Sequence, residues 1–241
     1  MLPRTESPVI ALSVELLEPP AYPGRRRYQL FSDYVSALRE LGATACLIPA
    51  DSTAAETALL LERCDGLLLT GGDDPDLRPL GGPAPAPECL LMPTVQQATN
   101  LNLVQQALGA DLPVLGVCLG MQMLGLAHRA PYVQHLPTAA AHGGGSRHRV
   151  RVQPGTRLAA LTGAHDIEVA SFHHQALGDV ANGLVAAGWA EDGVLEAVEL
   201  PQHRFALGVQ WHPERLAESP ASRAIFDGFV RAARDYRGER R

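Results

Sequence analysis

The chain has 241 residues, of which 46% are hydrophobic and 19% are charged, so it can form a sizeable core and does not have the composition of a disordered protein. Its 20 basic and 26 acidic residues give a formal net charge of −6, which argues against binding nucleic acid through a concentrated basic surface. Every basic residue is an arginine. The absence of lysine excludes Schiff-base and pyridoxal-phosphate enzymes, Walker A sites, protein kinases and Ser–Lys dyads.

Short apolar runs alternate with helical patterns in the first half of the chain. The pattern predicts strands at 9–14, 45–48, 66–69 and 113–117, and helices at 28–41, 53–62, 94–108 and 119–127. Because these strands are apolar along their whole length, we expect a parallel sheet that is covered by helices on both faces.

The second half of the chain has a different pattern, with several strands joined by short connections. Strands are predicted near 148–152, 166–171, 183–190, 194–199 and 205–210, and a last helix at 217–233. The short connections predict antiparallel pairing that extends the first sheet. Because we find no internal repeat and no linker, we expect one domain over residues 1–241.

The lack of a recognisable targeting signal and the spacing of the cysteines predict a cytoplasmic protein. The apolar run 9–14 is too short for a signal peptide, and no later segment reaches the roughly 18 apolar residues of a membrane span. The four cysteines have no Cys-x-x-Cys or other metal-ligand spacing, which favours reduced thiols. We therefore expect neither a membrane nor a nucleic acid as partner.

A candidate nucleophile lies where a predicted strand runs into a helix. Cys118 is flanked by Gly116 and Gly120, and larger side chains at those two positions would collide in a tight strand-to-helix turn. Such a turn places the thiol at a helix N-terminus, which favours the thiolate. The alternative is an inert buried cysteine, since free cysteines are often buried without reactivity.

A candidate base follows the strand near 205–210. His212 is separated from Glu214 by one proline, and in an extended segment residues i and i+2 point to the same side. Glu214 could then accept a hydrogen bond from one imidazole nitrogen while the other nitrogen faces a nucleophile. The alternative is a loop with solvated polar groups.

Two further segments are candidate binding sites. Gly71 and Gly72 follow a predicted strand, and one of their N–H groups, with that of Leu119, could form an oxyanion hole, although the segment could also be a plain turn. The adjacent histidines at 173 and 174 could indicate a metal. Neighbouring strand residues face opposite ways, no carboxylate partner follows, and His142 and His148 lie in a Gly-rich stretch, so we expect no metal site.

Three motifs resemble the class I glutamine amidotransferase superfamily, and within it the γ-glutamyl hydrolase and γ-glutamyl-γ-aminobutyrate hydrolase branch, peptidase C26. They are Gly-Val-Cys-Leu-Gly-Met-Gln (116–122), Ser-Phe-His-His-Gln (171–175) and Leu-Gly-Val-Gln-Trp-His-Pro-Glu (207–214). The resemblance extends over about residues 8–233. It implies a three-layer, flavodoxin-like α/β domain whose central sheet is mainly parallel with added antiparallel strands.

The resemblance also implies roles for individual residues. Cys118 would be the nucleophile, His212 the base and Glu214 its orienting carboxylate, with Gly71 or Gly72 and Leu119 donating to the oxyanion. The segment that contains Ser171, Phe172 and His173, together with Gln122, would bind the glutamyl head of a small-molecule substrate.

The function that follows is hydrolysis of a γ-glutamyl amide through a thioester, without a metal or organic cofactor. Leu119 departs from the hydrolase branch, which has arginine after the nucleophile, and matches synthetase-linked amidotransferases. Two alternatives therefore stay open: a glutaminase that supplies ammonia to a synthetase partner, and a catalytically silent γ-glutamyl-binding module. An α/β-hydrolase is disfavoured because the acidic residue follows the histidine. A homodimer is also left open.

Overall fold

The computed structural model describes residues 7–216 and 218–240, and seven α-helices and thirteen strands lie in that part of the chain. The strands are β1 (Val9–Ser13), β2 (Glu15–Leu17), β3 (Arg27–Gln29), β4 (Thr44–Ile48), β5 (Gly66–Leu69), β6 (Val114–Val117), β7 (Tyr132–Val133), β8 (Ser146–Val152), β9 (Asp166–Ser171), β10 (Ala176–Leu177), β11 (Val185–Ala190), β12 (Leu195–Glu199) and β13 (Ala206–Val209). The helices are α1 (Ser32–Glu40), α2 (Ala54–Leu61), α3 (Thr94–Gly109), α4 (Leu119–Ala127), α5 (Ala139–His142), α6 (Arg157–Thr162) and α7 (Pro220–Glu239).

Nine strands form one mixed sheet in the order β4-β1-β5-β6-β13-β12-β11-β8-β9. The pairs from β4 to β13 are parallel, and the pairs from β13 to β9 are antiparallel. This arrangement confirms the predicted α/β class with a mainly parallel sheet and added antiparallel strands.

The strand that joins the two halves differs from the sequence expectation. β13 follows β12 through a short connection and pairs with it antiparallel, but its other edge pairs with β6 in parallel. The expectation that antiparallel pairing joins the second half to the first sheet is therefore wrong at this strand. The reason is strand order: β12 lies outside β13, so β13 enters the sheet beside β6 and in the same direction.

The core consists of two layers of apolar side chains, one on each face of the sheet. Along β1, Ile10 and Leu12 point into the layer under α1, α6 and α7, whereas Ala11 points into the layer under α2, α3 and α4. This alternation follows from the two-residue period of a strand and explains why the central strands are apolar throughout. Within the described residues, no helix is both long enough and apolar enough to cross a membrane.

The sheet order determines where the candidate site forms. β5, β6 and β13 are neighbours and run in the same direction, so their carboxyl ends lie at one edge of the sheet. Gly71, Cys118 and His212 follow these three strands within one to three residues. Carboxyl ends of parallel strands are the usual place for ligands in open α/β sheets.

Candidate functional site

Cys118 lies in a tight turn between β6 and α4. Its φ of 52° and ψ of −107° are strained for a residue with a side chain, and such strain concentrates at functional sites. A Cβ on Gly116 would lie 2.6 Å from the backbone carbon and oxygen of Gly120, and one on Gly120 would collide with the carbonyl oxygen of Leu69. Both glycines are therefore required for α4 to pack this closely on the sheet, as their spacing predicted.

The Cys118 thiol is nearly buried and lines the candidate site. The residue is 7% exposed, and its backbone N–H donates to Val209 at 2.8 Å, which fixes the turn against β13. The side-chain amide of Gln210 donates to Sγ at 3.6 Å. The thiol also lies at the N-terminus of α4.

His212 and Glu214 form a buried pair beside this thiol. Nδ1–H of His212 donates to Oε1 of Glu214 at 2.6 Å, and a Cβ placed on Gly71 would lie 2.9 Å from Cε1 of His212 and 3.7 Å from Cβ of Cys118, so the imidazole and the thiol are neighbours. The segment after His212 is a short 3₁₀-helix, Pro213–Leu216, so the extended geometry assumed from the sequence is wrong. The predicted contact nevertheless forms, through a turn in place of a strand.

The charge state of His212 follows from its neighbours. Burial by itself would lower the pKa of His212, but the Cys118 thiolate and the Glu214 carboxylate outweigh it and raise the pKa to about 10. The imidazole therefore carries a proton at neutral pH. This arrangement places a proton donor beside the candidate nucleophile.

Two aromatic side chains hold the imidazole in position. The Tyr34 hydroxyl accepts a hydrogen bond from Gly71 N–H at 3.0 Å and lies 3.5 Å from Nδ1 of His212. The Phe172 ring packs edge-on against the imidazole, with 5.5 Å between ring centroids, and the Arg215 guanidinium lies 4.1 Å from the Phe172 centroid. No sequence signal indicated Tyr34, which is far from His212 along the chain.

The candidate oxyanion donors are not equivalent. The N–H of Gly71 is already used by Tyr34, whereas the N–H groups of Gly72 and Leu119 have no hydrogen-bond partner within residues 7–216 and 218–240. A Cβ on Gly72 would lie 3.0 Å from the Leu119 side chain, so the two segments are in contact. Of the two glycines, Gly72 is therefore the one with a free donor.

A cavity of about 250 Å³ opens at the thiol. Of the residues predicted to bind substrate, Gln122, Phe172 and His173 line it together with Cys118 and Gly72, but Ser171 does not. Ser171 is the last residue of β9 and is completely buried. The cavity wall also contains Asp73 and Asp74, which we did not predict, and His174 and Gln175 from the predicted segment 171–175.

The Gln122 side chain is held by other protein groups. Its amide oxygen accepts from Tyr132 at 2.8 Å, and its amide nitrogen lies 3.3 Å from Oε1 of Gln210 and from the carbonyl oxygen of Gln175. Because Gln210 in turn donates to the Cys118 thiol, Gln122 positions the group that contacts the nucleophile. Only a small part of its hydrogen-bonding capacity is left for a ligand.

Carboxyl groups make one side of the site acidic. Burial raises the pKa of Asp73 and of Asp74, and Asp74 lies 3.1 Å from Nε2 of His174. Burial, together with the charge of Asp73, raises the pKa of Glu15 to about 7. A cationic group bound here would relieve the repulsion between these carboxyl groups. The two aspartates directly follow Gly71 and Gly72 in the chain. The sequence signal that could have identified them as site residues is their position just after a strand.

Glu15 should make stability depend on pH. Its pKa is raised above the ordinary 4.5, so the folded state holds a proton that the unfolded chain has lost, and stability falls as pH rises from 4.5 through about 7. We expect Glu15→Gln to remove this loss, gaining about 1–3 kcal/mol over the wild type well above pH 7 and little below pH 4.5. Urea unfolding of both proteins across this pH range measures the difference. A constant difference at all pH values would contradict the assignment.

Cys118 should be more reactive than Cys46 and Cys64. Cys64 is completely buried, and burial raises the pKa of its thiol to about 12, whereas Cys118 faces the cavity at a helix N-terminus. We expect iodoacetamide to label Cys118 well before Cys46 and Cys64 at neutral pH. Peptide mapping after limited labelling measures this, with Cys118→Ala as the control that removes the fast site. Equal labelling of all three thiols would show that Cys118 is not activated.

A second polar cluster lies behind the cavity. His142, His148 and His173 surround the carboxylate of Glu196, which lies on β12. The expectation that the adjacent histidines at 173 and 174 have no carboxylate partner is therefore wrong, since His173 faces Glu196 and His174 pairs with Asp74. His148 lies on β8, which begins two residues before the predicted strand at 148–152. Glu196 was missed because it is distant in the chain and joins the histidines only through the sheet order.

Known proteins resemble this chain in sequence over most of its length. A family model described as Peptidase C26 matches residues 8–214. A Mycobacterium tuberculosis protein named as a glutamine amidotransferase is 35% identical over 215 residues, covering 86% of this chain and 68% of its own length. An Escherichia coli γ-glutamyl-γ-aminobutyrate hydrolase is 28% identical over 250 residues, covering 90% of this chain and 91% of its own.

Solved structures show the same fold at lower identity. A Thermoplasma acidophilum protein named as part of a GMP synthase has a TM-score of 0.68 and 19% identity, covering 97% of this chain and 98% of its own. A glutamine amidotransferase from Methylobacillus flagellatus has a TM-score of 0.56 and 20% identity, covering 86% of this chain and 70% of its own. At these identities the likeness concerns the fold.

Proposed function

Since the chain belongs to the peptidase C26 family, we propose that it is a cysteine-dependent hydrolase that cleaves γ-glutamyl amides through a γ-glutamyl thioester. The observation that carries this proposal is that the hydrogen-bonded pair of His212 and Glu214 lies beside Cys118, which lines the cavity. A nucleophile, a neighbouring base and a group that orients the base are the parts that acyl transfer requires.

The first half of the reaction forms the thioester. The Cys118 thiolate attacks the γ-carbonyl carbon, and the negative charge moves to the carbonyl oxygen, which the N–H groups of Gly72 and Leu119 would receive. The C–N bond then breaks, and the His212 imidazolium gives its proton to the departing amine nitrogen. The raised pKa of His212, about 10, suits this step, because the imidazole is protonated at neutral pH.

The second half releases glutamate. His212, now neutral, takes a proton from a water molecule as the water oxygen attacks the thioester carbon, and the carbon–sulfur bond breaks to restore the thiolate. Glu214 keeps the imidazole in the required orientation in both halves. The thiol must be reduced for this chemistry, and all four cysteines, which lie within the described residues, are unpaired. This supports a cytoplasmic setting.

The names of the relatives support the γ-glutamyl part of the substrate. γ-Glutamyl-γ-aminobutyrate and glutamine are both γ-glutamyl amides and differ only in the amine that leaves. The acidic side of the cavity, with Asp73 and Asp74, fits the α-ammonium group of a glutamyl head. We therefore propose strict selection for the γ-glutamyl group and looser selection for the amine.

Acid-quenched intact-mass analysis tests the proposal, alongside the rate of amine release. The substrates are γ-glutamyl-γ-aminobutyrate, γ-glutamyl-diaminobutane and glutamine, with the α-linked isomers as controls for the linkage. We expect an adduct of one glutamyl unit that disappears in Cys118→Ala. We also expect γ-glutamyl-amines to be hydrolysed faster than glutamine, and the α-linked isomers to be inert.

Other outcomes would favour the alternatives. Turnover of glutamine alone, and only when a second protein is present, would indicate a glutaminase that supplies ammonia to a synthetase, the interpretation that Leu119 after the nucleophile favours. Binding of glutamyl compounds without any adduct would indicate a silent binding module. Either result would overturn free-standing hydrolysis.

A further inference from the structure

Three imidazoles converge on one buried carboxylate oxygen behind the cavity. Oε1 of Glu196 lies 3.1 Å from Nδ1 of His142, 3.2 Å from Nε2 of His148 and 3.3 Å from Nε2 of His173. Glu196 is 0% exposed, and the four residues come from α5, β8, the segment after β9, and β12. The sheet therefore gathers four ligand-type side chains around one point in the interior.

These close contacts are not hydrogen bonds. The three imidazole nitrogens that face Glu196, and both oxygens of its carboxylate, have no hydrogen-bond partner within residues 7–216 and 218–240. The N···O distances are short, but the nitrogens do not point along lines that a hydrogen bond to Oε1 would need. Buried polar atoms left without partners are costly, so this many in one place requires a cause.

The other ring nitrogens of His142 and His173 each donate a hydrogen bond. Nε2 of His142 lies 2.9 Å from a carboxylate oxygen of Asp192, and Nδ1 of His173 lies 2.9 Å from the carbonyl oxygen of Gln175. Both partners only accept hydrogen bonds, so these two nitrogens carry the hydrogens. In the neutral imidazoles, lone pairs then face the oxygens of Glu196, which also offer only lone pairs. A positive charge between them would turn this repulsion into attraction.

We propose that His142, His148 and Glu196 bind a zinc ion. Zinc takes imidazole nitrogen and carboxylate oxygen at about 2.0–2.2 Å in tetrahedral geometry, so neighbouring ligand atoms lie about 3.3–3.5 Å apart. The distances from His142 and His148 to Oε1 are close to this edge length. Candidate ligand atoms of His142, His148 and Glu196 all lie within 4.8 Å of one another.

The surroundings match those of zinc ligands. A ligating histidine usually donates its other ring N–H to a carboxylate or a backbone carbonyl, as His142 does to Asp192. The three ligands come from α5, β8 and β12, so the ion would join these elements behind the cavity and take no part in hydrolysis. His173, whose Nε2 lies 3.3 Å from Oε1 of Glu196, would be held against this site together with the neighbouring Phe172, which packs against His212.

Metal analysis of the full-length protein tests this. Each protein is stripped with a chelator, reloaded with zinc chloride, separated from free metal and measured by mass spectrometry for zinc and by thermal melting. We expect one zinc ion per chain and a higher melting temperature with zinc in the wild type, and loss of both in Glu196→Gln and His148→Gln. Two matched controls should keep the zinc. One is Cys118→Ala, and the other is His203→Gln, which replaces a histidine that pairs with Asp111.

Cobalt replacement keeps the test decisive if the cluster variants do not fold. The cobalt-loaded wild type should show the visible bands of tetrahedral nitrogen and oxygen ligation without a thiolate-to-cobalt band. A wild type that binds no stoichiometric zinc would overturn the proposal and leave a protonated histidine–glutamate cluster. Zinc that is lost in Cys118→Ala, or retained in folded Glu196→Gln, would also overturn it.

Discussion

Replacing Cys118 or His212 by alanine is expected to lower turnover of γ-glutamyl amides by about 10⁴-fold or more, with each variant close to the other. The two side chains act as one unit, since the imidazole holds the thiolate and supplies the proton for the leaving amine. Glu214→Gln should cost about 10–100-fold less, because a glutamine can still accept from Nδ1 of His212 but carries no charge.

Single-turnover rates on a γ-glutamyl amide measure this ranking, and circular dichroism and melting temperature confirm that each variant is folded. A second readout is intact mass, since His212→Ala should form the thioester slowly and Cys118→Ala should not form it at all. A His212→Ala enzyme with nearly wild-type turnover would contradict the assignment of the base.

Gly71→Ala is expected to lower turnover by about 10²-fold while the fold is retained, because a small displacement of a reacting group costs that much. A Cβ at this position would lie 2.9 Å from Cε1 of His212 and 3.3 Å from the Tyr34 hydroxyl. The methyl group therefore displaces the imidazole from its present position beside Cys118. The effect is steric. The added methyl group belongs to the segment after β5, whereas the histidine that it displaces belongs to the segment after β13.

Gly109→Ala is the matched control for this substitution. Gly109 is the last residue of α3, and a Cβ there meets nothing within 4 Å. We expect unchanged turnover and equal or slightly higher stability, since alanine loses less conformational freedom in a helix than glycine. Steady-state rates and melting curves of the two variants separate a local displacement from a general effect of adding a methyl group. Equal turnover by Gly71→Ala and Gly109→Ala would show that a methyl group at position 71 does not displace the imidazole.

Most of the elements could be predicted because their signals are local. β5 lies at Gly66–Leu69 and α4 at Leu119–Ala127, as the apolar run and the helical pattern indicated. α7 begins at Pro220 and extends to Glu239, past the predicted end at 233, because the helix continues after its apolar face has ended. The hairpin of β2 and β3 was not predicted, since two strands of three residues leave almost no periodic pattern.

The sequence by itself determined the layers of the fold and the place of the nucleophile. Strand alternation decides which side chains enter each core layer, and the glycines at 116 and 120 are required wherever a strand turns this sharply into a helix. The pairing of His212 with Glu214 was also predictable, because two residues of separation leave little freedom. Each of these features depends on neighbours within a few positions of the chain.

Only the tertiary structure decided which distant groups meet. It directs the Gly71 N–H to Tyr34 and leaves that of Gly72 free, it buries Ser171 away from the cavity, and it brings Glu196 to the three histidines. Tyr34 and His212 are 178 positions apart, and no local period relates them. Such contacts follow from the order in which strands enter the sheet, and that order is set by the packing of whole layers and not by the pattern of any one segment.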